Sequence, residues 1–93
     1  MLDILSCLER FAQATRTHID LSARVKYASP AYVHVRNRFS ERLTENVTCT
    51  GNGDFLTSWG YRLGSVDDVE QAAARLAYLL AALPATTPAG TTR

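Results

Sequence analysis

Between residues 21 and 63 the apolar side chains fall on every second position. Leu21, Ala23, Val25 and Tyr27 alternate with Ser22, Arg24, Lys26 and Ala28. Ala31, Val33 and Val35 alternate with Tyr32, His34 and Arg36. Leu43, Val47 and Cys49 alternate with Thr44, Asn46 and Thr48, and Phe55, Trp59, Tyr61 and Leu63 share one parity with Thr57. Successive side chains of a β-strand point to opposite faces, so a period of two means strands with one apolar and one polar face. Sheets covered on both faces lack such polar alternate positions. The pattern therefore predicts an antiparallel sheet with one face in the core and the other open.

Four strands are expected, over 19–28, from 31, over 43–50 and over 55–63. "SP" at 29–30 turns the first into the second, because the residue before proline leaves the helical region. "NRFSER" at 37–42 reads as a polar connection. "GNGD" at 51–54 is a turn, since Gly and Asn accept positive φ. Trp59 is expected in the core with its parity mates.

On either side the period changes. Residues 3–18 place Ile4, Leu5, Leu8, Phe11, Ala12 and Thr15 at spacings of three and four, which is one stripe of a helix. Residues 64–83 do the same with Val66, Val69, Ala73, Leu76, Leu80 and Leu83. Ser65 is the expected N-cap, with Asp68 as its capping-box partner. Pro84 is expected to end the helix, because it lacks an N–H. The fold class is thus α+β: helix, four-stranded antiparallel sheet, helix, with both helices on one sheet face. A single domain spans 1–83, and the Pro/Thr/Gly-rich stretch 84–93 reads as a disordered tail.

A chain of 93 residues is at the small end of what folds alone. Two cysteines, Cys7 and Cys49, form neither a zinc pattern nor a disulfide framework, and both read as small buried hydrophobes. "MLDILSCLERF" has Asp3 where a signal peptide needs positive charge, and no apolar run is long enough for a membrane span. A cytoplasmic protein is expected.

From Val35 onward the chain resembles a group of small, mostly uncharacterised actinobacterial proteins. The shared pattern reads here as "VRN" at 35–37, "LTENVTC" at 43–49, "WG" at 59–60 and "LGSVDDVEQAAARLAYLL" at 63–80. It covers about half of the 93 residues. The group has more aromatics before Trp-Gly than "DFLTS" offers. The resemblance implies a shared fold and a soluble cytoplasmic origin; it carries over no activity and no catalytic residue.

The net charge of +1 hides an uneven distribution. Residues 24–42 hold Arg24, Lys26, Arg36, Arg38 and Arg42 against Glu41 alone. The strand parity gathers Arg24, Lys26, Tyr32, His34 and Arg36 on the polar sheet face, with Arg62 on the last strand. Arginines and an aromatic on an open sheet face suit phosphates and bases. The last helix carries Ala72 and Leu79 outside its main stripe, a second small-residue face for a partner. Cys49 and His34 would make a nucleophile–base pair only on a common face, and their parities place them on opposite ones. No cofactor, metal or phosphate-loop motif is present. The sequence therefore suggests a non-catalytic accessory protein, a homodimer or a module docking to a larger protein. A nucleic-acid-binding regulator using the basic face is the alternative.

Overall fold

The computed structural model describes residues 3–18 and 20–85. Helix α1 (Ile4–Arg16) leads into β1 (Leu21–Lys26), β2 (Tyr32–Asn37), β3 (Ser40–Cys49), β4 (Asp54–Leu56) and β5 (Arg62–Ser65), and α2 (Val69–Ala85) follows. Each strand pairs antiparallel with its neighbour in sequence, giving the order β1-β2-β3-β4-β5. The architecture is α+β, a helix, an antiparallel sheet and a helix, with five strands where four were expected.

The fifth strand comes from the stretch read as a single strand over 55–63. The Thr57 N–H donates to the Tyr61 carbonyl at 2.9 Å, and the Gly60 N–H donates to the Thr57 carbonyl at 3.0 Å. Gly60 takes a φ of +89°, open to it for want of a Cβ. The chain reverses there. Phe55 and Leu63 keep their places in the core, while Trp59 and Tyr61 ride on the turn, outside it. Trp59 is 64% exposed, which overturns its assignment to the core.

The polar connection over 37–42 is shorter than expected, because β3 begins at Ser40. Its pairing with β2 jumps from Arg36↔Thr44 to Asn37↔Ser40, so residues 41–43 bulge from the ladder. β3 then passes from one partner to the next: Val47 pairs with β2, and Thr48 and Cys49 pair with β4.

Both helices differ in detail from the periodic reading. Asp3 caps α1, accepting from the Ser6 N–H at 3.2 Å. Its buried stripe is Cys7, Leu8, Phe11, Ala12 and Thr15, whereas Ile4 and Leu5 stay partly exposed. The N-cap of α2 is Asp68, whose Oδ1 accepts from the Gln71 N–H at 3.2 Å. Ser65 instead ends β5, and its Oγ accepts from the Asp67 N–H at 3.1 Å. α2 is helical through Ala85, beyond Pro84. Proline cannot donate to the carbonyl four residues earlier, and the Asn37 amide reaches that Leu80 oxygen at 3.5 Å. The rest of the predicted tail, 86–93, lies outside the described residues.

One core joins these elements. Leu8, Phe11 and Ala12 of α1 and Ala72, Ala73, Leu76 and Leu80 of α2 meet Leu21, Ala23, Val33, Val35, Val47, Cys49, Phe55 and Leu63 of the strands. Phe11 and Phe55 lie with ring centroids 4.7 Å apart at the centre. All the buried strand residues carry the odd parity. The even parity therefore forms the outer face, away from α1 and α2. Gly64 lets β5 approach α2 closely, since a Cβ there would meet the Ala72 Cβ at 3.1 Å.

Candidate functional site

Two surfaces stand apart from the core. The first is the outer face of β1 and β2. The register sets Ser22 opposite Arg36, Arg24 opposite His34 and Lys26 opposite Tyr32. Five of these side chains, Ser22, Arg24, Lys26, His34 and Arg36, line a shallow pocket of ≈ 230 Å³. The His34 ring is braced by β3, with Nδ1 2.8 Å from Asn46 Oδ1. The strand parity thus brings together the expected basic residues. Arg62 does not join them. It lies two strands beyond β3 and pairs with Asp54, Nε to Oδ1 at 2.8 Å. Cys49 is buried on the core face while His34 is on the outer face, so they are not a pair.

The second surface is a cleft of ≈ 200 Å³ between β3, the Thr57–Tyr61 turn and α2. Leu43, Leu76, Leu79 and Leu80 make its apolar lining, with Arg42, Thr44, Glu45, Thr57 and Trp59 around them. Leu79, expected on a partner face, belongs to this cleft. Ala72 does not. It is 0% exposed, packed beneath Gly64, because α2 is rotated so that Ala72 and Ala73 both face the sheet. Ala72 is a core residue and no part of a surface.

Glu45 organises the rim of the cleft. Its Oε1 accepts from the Trp59 indole N–H at 3.0 Å, and Oε2 accepts from the Ser58 N–H at 2.7 Å and the Asn46 N–H at 3.0 Å. Partial burial pushes this carboxyl up. The hydrogen bonds from Ser58, Asn46 and Trp59 outweigh it and hold the group below its ordinary value. The indole also stacks on Tyr61, centroids 5.2 Å apart at 22°. Trp59 is therefore exposed yet held from two sides. Phe39, 80% exposed, sits in the β2–β3 turn, which Asn37 ties to the α2 end of the same cleft.

Sequence reasoning missed Glu45 and the turn that carries Trp59. "TSWG" held a signal: Gly suits the last position of a tight turn, but the aromatic alternation on either side outweighed it. No helix among the described residues is long and apolar enough to cross a membrane. No family model, curated protein or solved structure matches the chain.

Proposed function

We propose that this chain is a small non-catalytic accessory protein that works by binding protein, and that its partner at the Trp59 cleft is a second copy of itself. The observation that carries the proposal is the fixed, exposed indole beside the partly exposed Leu43 and Leu79. Exposed aromatics held in one geometry lose little freedom on association, and such anchors dominate binding energy at interfaces. A second copy fits the charges as well. The Glu45 carboxylate has N–H donors but no cation in salt-bridge range among the described residues, and Arg42 lies on the same cleft. A two-fold axis makes each patch meet its own copy, so Arg42 of one protomer can face Glu45 of the other. The size of the chain supports the same reading, since small domains bury limited apolar surface alone.

Sedimentation equilibrium tests this. The wild-type protein should be a dimer at about 100 μM, a modest demand on affinity. Trp59→Ser and Leu79→Glu should each be monomeric with unchanged far-UV circular dichroism. A wild-type monomer at that concentration, or variants that dimerise as before, would sink the self-association reading.

A further inference from the structure

The outer face of β1 and β2 concentrates positive charge without neutralising it. Residues two apart on a strand lie about 7 Å from each other, and diagonal cross-strand neighbours about 7–8 Å. Arg36 and Lys26 both stand in that relation to Arg24, and His34 is directly opposite it. Like charges so placed repel. Elsewhere on the sheet the protein answers an arginine with a carboxylate, as at Arg62 and Asp54. The outward positions of β1 and β2 hold no Asp or Glu. Glu9, which shares a groove with Arg24 at the β1 edge, accepts instead from the Tyr27 hydroxyl at 3.0 Å. Among the described side chains, Arg24, Lys26 and Arg36 have no ion-pair partner.

We infer that this pocket is a binding site for phosphoryl groups, and that its ligand presents at least two of them together. A lone carboxylate would offset one of the three cations, whereas linked phosphates spread their charge over all three. Each guanidinium offers a planar fork of donors that matches phosphate oxygens, and Lys26 adds a compact charge. Ser22 supplies a neutral hydroxyl. Tyr32, opposite Lys26 at the margin, offers a ring on which an attached base can stack. This face lies on the side of the sheet away from the helices, so the site is independent of self-association through the Trp59 cleft.

The test is a titration of inorganic pyrophosphate into ¹⁵N-labelled protein, followed by amide chemical shifts at low and high salt. Saturable shifts confined to residues 22–26 and 32–36, weakening as salt rises, are expected. The double variant Arg24→Gln/Arg36→Gln should lose roughly tenfold or more in affinity while melting within a few degrees of wild type. Arg75→Gln on α2 should bind as wild type. Shifts that never saturate, that spread over arginines off this face, or that persist in the double variant overturn the site. A mixed-sequence single-stranded oligonucleotide then identifies the source. Tighter binding than pyrophosphate with a steeper salt slope assigns the phosphates to a nucleic-acid backbone. Equal or weaker binding assigns them to a small phosphorylated compound.

Discussion

The indole N–H of Trp59 donates to Glu45 Oε1 across 3.0 Å, and this bond joins a turn to a strand with which it makes no ladder. Because Glu45 is held below its ordinary value, near 4.5, its charged form is favoured in the fold. The stability it contributes is present above that value and is lost as pH falls through the lower folded one. Trp59 is the sole tryptophan, so all tryptophan emission comes from this site. In the monomer, at concentrations well below those of association or in Leu79→Glu, emission should be red-shifted and readily quenched at pH 7. It should change on acidification with a midpoint below 4.5 while the far-UV spectrum holds. Glu45→Gln should abolish that titration, because an amide does not ionise and can accept through only one of its two heavy atoms. A blue-shifted, protected tryptophan in the monomeric Leu79→Glu variant would contradict the structure at this point.

Gly64 and Ala72 give a sharper test of packing. A Cβ at Gly64 would stand 3.1 Å from the Ala72 Cβ and 3.3 Å from its Cα. The second of these is backbone and cannot swing aside, so β5 or α2 must shift. Gly64→Ala should destabilise by about 1–3 kcal/mol, the range for overpacking. Gly51 is the internal control, since nothing lies within 4 Å of a Cβ there and its φ is not positive. Gly51→Ala should be neutral or stabilise by up to ~1 kcal/mol through the unfolded chain. Urea denaturation of the two variants measures the difference.

The alternation that exposed the sheet also hid its last turn. Parity reports which face a side chain takes but is silent on where the chain reverses. Phe55 and Leu63 are both inward, and the residues between them kept the rhythm, so one strand was the natural expectation. The reversal depends on Gly60 at φ +89° and on Thr57, whose backbone and hydroxyl hold the turn. These are local bonds with no periodic signature. The basic face was legible for the opposite reason. Arg24, Lys26, His34 and Arg36 sit in regular strands, where parity alone decides their side. Ala72 was misplaced because alanine is small enough to belong to either face of α2, and only the near contact with Gly64 selects one.

Asn37 is a buried polar residue whose work is easily overlooked. Its Oδ1 accepts from the Phe39 N–H at 2.8 Å, closing the β2–β3 turn. Its Nδ2 reaches the Leu80 carbonyl that Pro84 cannot serve. Asn37→Ala removes both contacts at a position that is itself 6% exposed, and leaves the Leu80 carbonyl without the amide. A loss of about 1–3 kcal/mol is expected, the cost of unsatisfied buried groups. Amide hydrogen exchange should quicken in the last turns of α2 as well as in the turn at Phe39. Exchange that quickens at the turn alone would mean that the contact to Leu80 contributes nothing.

Cys7 and Cys49 meet in the core, and burial, with Cys7 as a hydrogen-bonded neighbour, raises the Cys49 thiol to about 11. The thiolate is the reactive species, so Cys49 should resist a disulfide reagent at pH 8 in the native protein; Cys7, only 4% exposed, should be shielded by its burial, and both should react at once in denaturant. Rapid labelling of the folded chain would show that the α1–β3 contact opens freely. The same shift gives a pH dependence of stability. An acid whose folded value is raised keeps its proton after the unfolded chain has released it. The stability it contributes is whole below the ordinary value of 9.0 and is lost as pH climbs to about 11. Melting temperature should therefore fall across that window. Cys49→Ala should flatten the fall if this thiol is its source, and an unchanged slope in the variant would assign the loss to other groups.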